Sequence, residues 1–198
     1  MKYTIDPERL IDITAPLSED TPAWPGDTAF RRNVREEYGF STSRIVMSAH
    51  SGTHMDAPAH RFSGGMTIDL IPASRMIMPC SVLDLTRSPE VRTEELERVD
   101  LHGRAVVFKT GVRGHLSAGA AELLLEKGAL LVGIDSMSVD AAQCDDVHRI
   151  LLGAEIPILE NLLLKGVEPG DYILLCIPLR IVSGDGSPCR VFLQPLIT

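Results

Sequence analysis

The order strand, helix, strand in the middle of the chain limits the folds open to it. The stretches RAVVFKT (104–110) and ALLVGID (129–135) are short, apolar and rich in β-branched residues, as buried strands are. Between them, Ser117 is placed to cap a helix over AGAAELLLEK, and Gly128 is placed to end it. This order is typical of a right-handed crossover, so we expect two parallel strands with a helix packed on them.

Further short apolar segments flank this unit. Strands are predicted at RLIDITAPL, CSVLDLT, IPIL, YILLCIPL and CRVFLQPL, and RRNVREEY is predicted to pair with SRIVMSAH across Gly39. A short helix, VHRILLG, would be capped by Asp145 or Asp146 and ended by Gly153. Many short strands with two or three helices predict an α/β fold. We expect a single domain over residues 1–198, with a mixed, barrel-like β-sheet flanked by a few helices.

Composition excludes several classes of partner. The net charge of −8 and the lack of a long run of Lys and Arg argue against nucleic acid and anionic membrane surfaces. The most apolar region, residues 118–134, is interrupted by Glu122, Glu126 and Lys127, which argues against a membrane span. The N-terminal segment does not resemble a signal peptide. The scattered cysteines predict free, mostly buried thiols in a reducing cytoplasm.

The stretch HSGTHMDAPAH (50–60) carries the residue types of a metal site. Gly52 and Pro58 argue against a helix, so we expect a turn at Gly52 followed by an extended segment. Residues two apart in an extended segment share a face, which would align His54, Asp56 and His60, with His50 folded back onto them. Histidine and carboxylate without cysteine are typical of catalytic rather than structural sites, and they suit Zn²⁺ or Mn²⁺.

Other candidates are weaker from the residues alone. His102 and His115 lie in predicted turns or loops and are expected to be ordinary surface residues. His148 would lie on the surface of its helix, and Glu160 would favour the first turn of a helix starting near Asn161. Cys144, four residues before His148, could face the same way on a helix.

The stretch HSGTHMDAPAH resembles the H-x-G-T-H-x-D-x-P-x-H pattern of the cyclase-like metal-dependent hydrolases, whose best-known members are bacterial kynurenine formamidases. The segments WPGD, GIDSMSVD, HRILLGAEIPILENL and DGSPCRV resemble further family segments in the expected order. The resemblance covers nearly the whole chain and implies a swivelling β/β/α type of fold. It also implies a homo-oligomer, a dimer or tetramer.

The resemblance also implies a set of roles. A first divalent ion would be held by His50, His54 and Asp56. A second would be held by His148 and Glu160, with Asp56 bridging the two. His60 would carry protons, and Trp24, which from its loop position could equally cover a core edge, would lie against an aryl amide substrate.

The implied reaction is hydrolysis of an amide C–N bond, with N-formyl-L-kynurenine as the first candidate substrate. One alternative is a related hydrolase that opens a cyclic amide such as isatin, or that cleaves an ester or lactone. An alternative of another class is a non-enzymatic metal-dependent binding or assembly protein, although a spare acid–base group at His60 argues against it.

Overall fold

Twelve strands and three α-helices follow one another along the chain in the computed structural model, which describes residues 3–196. The strands are β1 (Ile11–Asp12), β2 (Arg31–Glu37), β3 (Phe40–Val46), β4 (His54–Asp56), β5 (Ile77–Asp84), β6 (Glu90–Val91), β7 (Ala105–Lys109), β8 (His115–Leu116), β9 (Leu131–Ile134), β10 (Ile158–Glu160), β11 (Gly170–Pro178) and β12 (Gly186–Pro195). The helices are α1 (Thr93–Leu96), α2 (Ala118–Glu126) and α3 (Asp146–Gly153). Short 3-10 turns cover Pro7–Arg9, Pro58–His60, Ile68–Leu70 and Ala73–Arg75.

Seven of these strands close into a mixed barrel. Their order is β12, β11, β5, β7, β9, β10, β4, and β4 pairs back with β12. The strands β5, β7, β9 and β10 are parallel neighbours, and the remaining pairings of the barrel are antiparallel. Strand β1 adds to the edge of β12. The predicted α/β fold with a barrel-like mixed sheet is confirmed.

The predicted crossover is the unit of β7, α2 and β9. The two strands pair in parallel, with Ala105 opposite Leu131. The Ser117 side chain accepts a hydrogen bond from the Ala120 N–H at 3.1 Å, and Gly128 follows the helix with a φ of +72°. That left-handed conformation is the one in which glycine commonly ends a helix.

Side chains alternate between two cores along the barrel strands. One set, which includes Val107 and Leu131, packs with apolar residues of β5, β11 and β12. The other set, which includes Val106 and Val132, packs against α2 and α3. Because successive residues of a strand point to opposite faces, the first cluster fills the barrel and the second joins it to the helices.

The hairpin of β2 and β3 projects from this body. Its turn holds Tyr38 and Gly39 at positive φ, the requirement of a tight type I′ connection. Every residue of both strands is exposed, and Tyr38 is 96% exposed. The predicted pairing across Gly39 is confirmed, although this hairpin lies outside the barrel sheet.

Two predictions from the sequence concern the state of the cysteines and the possibility of a membrane-spanning helix. Cys80, Cys176 and Cys189 are buried free thiols, whereas Cys144 is exposed. Within residues 3–196, each helix is too short or too polar to span a bilayer.

Gly133 in β9 provides a test of the barrel packing. A Cβ there would meet Val107 Cγ2 at 2.9 Å and Leu162 Cδ1 at 3.0 Å inside the filled barrel. We expect Gly133→Ala to lower the free energy of unfolding by about 1–3 kcal/mol, the usual cost of overpacking a core.

The measurement is urea-induced unfolding followed by circular dichroism. The matched control is Gly119→Ala in α2, where the nearest side-chain atom would lie at 3.5 Å and alanine favours the helix. A Gly133→Ala variant as stable as the wild type would contradict this account of the barrel interior.

Candidate metal centre

Strand pairing brings together two parts of the chain that are distant in sequence. His54 and Asp56 lie two residues apart in β4 and so share a face. Strand β10 runs antiparallel to β4 with Glu160 directly opposite His54. The Glu160 carboxylate therefore reaches the His54 side chain, with Oε2 at 3.5 Å from Nε2. The expectation of a helix starting near Asn161 is wrong, since Glu160 ends a buried strand.

Gly52 turns the chain so that His50 meets the same carboxylate. Its φ is +62°, a conformation that side-chain-bearing residues rarely adopt. The Nδ1 atom of His50 lies 2.7 Å from Asp56 Oδ1, and His54 Nε2 lies 3.3 Å from the same oxygen. One nitrogen of each histidine and one oxygen of Asp56 thus form a compact group of three donors.

The helix α3 brings His148 to the other side of Asp56. Its Nε2 atom lies 3.4 Å from Asp56 Oδ2 and 3.4 Å from Glu160 Oε1. Each carboxylate therefore presents one oxygen towards His148 and the other towards His54. A tetrahedral ion with bonds of about 2.1 Å holds its ligands about 3.4 Å apart, so these spacings fit a divalent metal.

The charge balance of this cluster also favours cations. Burial lowers the pKa of His50, but Asp56 and Asp185 outweigh it and raise the pKa to about 9. Burial likewise lowers the pKa of His148, but Asp140 and the other carboxylates raise it to about 12. Burial raises the pKa of Asp56, but the surrounding histidines hold it well below its usual value. The buried carboxylates thus stabilise positive charge on the imidazoles. A divalent cation bound to the imidazole nitrogens would supply that positive charge instead of protons.

Each of these imidazoles is also held at its remote nitrogen. His54 Nδ1 donates to the Gly52 carbonyl at 2.8 Å, and His148 Nδ1 donates to Asp140 Oδ2 at 2.5 Å. His50 Nε2 donates to Asp185 Oδ2 at 3.0 Å. Such partners orient each ring so that its other nitrogen faces the buried carboxylates, where a metal ion would bind.

His60 reaches the cluster by a different route from the one expected. The extended segment ends before Pro58, and Pro58–His60 forms a 3-10 turn. The prediction that strand alternation aligns His60 with Asp56 is therefore wrong, because the proline-led turn replaces the strand. The turn nevertheless places the His60 ring 4.1 Å from the His50 ring and its Nδ1 3.4 Å from Asp185 Oδ2. His60 is more exposed than the other histidines of the site, at 35% of its side chain.

The helix α3 is capped by a residue that the sequence did not indicate. Asp145 holds the cap position, but its side chain makes no cap hydrogen bond. Asp140 instead accepts from the Val147 N–H at 2.8 Å and from the His148 N–H at 3.1 Å. The prediction of a side-chain cap from Asp145 or Asp146 is wrong, because the chain folds Asp140 over the helix start.

All of the candidate site residues line one cleft of about 510 Å³. Trp24, half exposed, and Met137 contribute apolar surface to it. Cys144 also lines the cleft, but it lies in the loop before α3 rather than on a helix. His102 and His115 do not line it; His102 lies in a turn as predicted, whereas His115 lies in strand β8 and not in a loop.

Asp140 and Asp185 are the carboxylates that the sequence reasoning missed. Both lie in segments already noted, GIDSMSVD and DGSPCRV, but without a role. The sequence signal for both was weak. Asp140 lies in a polar stretch eight residues before His148, and Asp185 lies far from every histidine in the sequence. Their contacts with imidazole nitrogens come from tertiary structure alone.

A mixed barrel with histidines and carboxylates converging under an open cleft is the arrangement of a metal-dependent hydrolase. The Cyclase family model matches residues 11–141, and the chain belongs to that family. The chain is 35% identical to the kynurenine formamidase of Bacillus thuringiensis (strain Al Hakam), over 94% of this chain and 97% of the relative.

Solved structures agree with this family. A predicted metal-dependent hydrolase from Bacillus stearothermophilus superposes with a TM-score of 0.81 at 30% identity, covering 93% of this chain and 97% of the other. Isatin hydrolase A from Labrenzia aggregata, bound to benzyl benzoate, gives a TM-score of 0.83 at 25% identity, covering 94% and 93%. The family resemblance expected from HSGTHMDAPAH is confirmed.

The hydrogen bond from His148 to Asp140 generates a prediction about metal affinity. Asp140→Asn removes the charge that orients the His148 ring and should weaken binding of Zn²⁺ about 10- to 100-fold, the usual effect of losing such a partner. The measurement is competition with a chromophoric chelator. Asp146→Asn, an exposed carboxylate on α3, is the matched control. Undiminished affinity in Asp140→Asn would contradict the orienting role.

Proposed function

We propose that residues 1–198 form one cyclase-like domain that hydrolyses N-formyl-L-kynurenine to L-kynurenine and formate. The chain is a metal-dependent amide hydrolase by family and by similarity to named amide hydrolases. The observation that carries the proposal is the convergence of His50, His54, Asp56, His148 and Glu160 under one cleft. The formamidase of Bacillus thuringiensis supports the choice of substrate.

The proposed ligand set divides into two groups that share Asp56. His50 and His54 face its Oδ1 atom, and His148 faces its Oδ2 atom, so that two ions, Zn²⁺ or Mn²⁺, would be bridged by the carboxylate. Glu160 extends between the groups, with one oxygen towards each of His54 and His148. Divalent ions held there would lower the pKa of a water and polarise the scissile carbonyl.

His60 is the proposed proton carrier of the reaction. It lies beside the cluster, partly exposed to the cleft, and Asp185 holds its Nδ1 atom. In the proposed reaction, His60 takes a proton from the attacking water as the new C–O bond forms at the formyl carbon. It then returns that proton to the amine nitrogen as the C–N bond breaks. An imidazole can both accept and donate a proton, so one residue can serve both steps.

Trp24 is the proposed wall for the aryl ring of the substrate. It is 50% exposed and lines the same cleft as the histidines. A large aromatic surface at a cleft mouth buries an aryl group and stacks on it.

A second candidate substrate is a cyclic amide such as isatin. Isatin hydrolase A gives a TM-score of 0.83, which favours this reading. Opening of the ring breaks the same C–N bond type and uses the same water and proton carrier. The non-enzymatic alternative has no comparable support, because the relatives named above are hydrolases.

We also propose a homo-oligomer in the cytoplasm. The isolated hairpin of β2 and β3 exposes Tyr38 and Phe40, at 96% and 73%, and a two-stranded ribbon alone is marginally stable in water. A second copy that packs on the hairpin would cover these rings. The free thiols Cys80, Cys176 and Cys189 suit a reducing compartment.

The metal-loaded protein should hydrolyse N-formyl-L-kynurenine. Removal of metal with a chelator should abolish turnover, and added Zn²⁺ or Mn²⁺ should restore it, because the attacking water depends on the ion. The measurement is the absorbance of released kynurenine together with assay of formate. No hydrolysis of formylkynurenine, of simple aryl formamides or of isatin would sink the proposal.

His60→Ala tests the division between ligand and proton carrier. We expect kcat to fall about 10²- to 10⁴-fold, the usual contribution of acid–base catalysis, while the bound metal stays at the wild-type level. Metal content is measured by inductively coupled plasma mass spectrometry, and kcat is measured on the same protein. His102→Ala, an exposed histidine outside the cleft, is the control. Loss of metal from His60→Ala would make His60 a ligand instead.

A further inference from the structure

An ion pair between Arg61 and Asp145 lies at the cleft, beside the proposed metal and proton groups. Arg61 directly follows His60, and Asp145 directly precedes α3, the helix that carries His148. The Arg61 guanidinium donates a hydrogen bond through Nη2 to Asp145 Oδ2. Both side chains line the cleft and are partly exposed, at 40% and 50%.

Local secondary structure does not explain why charged side chains stand at Arg61 and Asp145. Asp145 occupies the cap position of α3, but Asp140 accepts the N–H groups that a cap side chain would take. The Asp145 carboxylate is therefore left to face the cleft. Within residues 3–196, Asp145 is the one hydrogen-bond partner found for the Arg61 side chain. An ion pair this exposed is weak and screened by salt, so its two partners separate readily.

The remaining charges of the cleft are committed elsewhere. Asp185 contacts His50 and His60, and Asp27 accepts a hydrogen bond from the Ser48 hydroxyl at 3.0 Å. Arg61 is the one Lys or Arg among the described residues that line the cleft. The cleft thus offers one guanidinium and one carboxylate, side by side, to a ligand that enters it.

We propose that Arg61 and Asp145 bind the α-carboxylate and the α-ammonium of the substrate, so that the cleft selects aryl amides that carry an α-amino-acid group. This rests on the proposed amide hydrolase function and assigns two specificity-determining residues to it. A guanidinium suits a carboxylate because it donates two parallel hydrogen bonds. A zwitterion that exchanges partners with the pair leaves neither charge unpaired. A neutral ring such as isatin would leave the pair closed and gain nothing from it.

The competing account is that the ion pair only clamps the His60 turn to α3. The test compares kcat/KM for N-formyl-L-kynurenine with that for 2-formamidoacetophenone, which has the same ring, ketone and formamide but no amino-acid group. We expect the wild type to favour formylkynurenine about 10-fold, which is what two exposed ion pairs can supply together. Arg61→Met and Asp145→Asn should each bring this ratio towards one, mainly through KM. Arg61→Lys should keep part of it.

The controls are Arg149→Met and Asp146→Asn, exposed charges of α3 that do not line the cleft. They should leave the ratio at its wild-type value. Thermal unfolding of each variant shows whether the fold is intact. Raised salt should lower the wild-type ratio, because the recognition is between exposed charges.

The outcomes separate the two levels of the proposal. A wild-type ratio near one, or equal losses on both substrates in the Arg61 and Asp145 variants, would leave the hydrolase function standing and overturn the recognition role. Failure of the metal-loaded wild type to hydrolyse either substrate would overturn the formamidase function, and the recognition role with it.

Discussion

The backbone pairing of β4 is the interaction on which the rest of the site depends. This strand has three residues, yet it pairs with β10 along one edge and with β12 along the other. A strand held on both edges cannot rotate, so the directions of His54 and Asp56 are set by the barrel wall. The same pairing brings Glu160 across from His54, and two carboxylates are thereby buried close together. Such a pair is tolerated only where positive charge accompanies it.

Hydrogen bonds to the three imidazoles hold the rings in place before any ligand binds. The imidazole of His54 is held by a backbone carbonyl, and those of His50 and His148 by the carboxylates of Asp185 and Asp140. Asp140 serves the helix as well, since it also accepts the first N–H groups of α3. The Asp140 side chain thus fixes both the position of the start of α3 and the orientation of the His148 ring. Preorganised groups of this kind need little rearrangement when charge develops in a reaction.

The predictions that succeeded rest on local patterns. The β7, α2, β9 unit could be predicted because β-branched runs, the Ser117 cap and the Gly128 stop all act within a few residues. The predictions that failed concerned a choice between alternative local structures. The 3-10 turn at Pro58 overrode the expected extension to His60, and Asp140 displaced Asp145 as the cap of α3. Arg61, too, has no sequence signature, since its partner lies 84 positions away.

The sequence by itself determined the barrel class, the limits of α2 and the eleven-residue stretch that supplies His50, His54 and Asp56. These follow from periodicity, turn chemistry and motif spacing, which act over short lengths of chain. Only the tertiary structure decided that Asp140 and Asp185 hold the imidazoles and that Arg61 faces Asp145 at the cleft. Contacts of that kind depend on strand register and on the packing of α3, and both are set by the whole barrel at once.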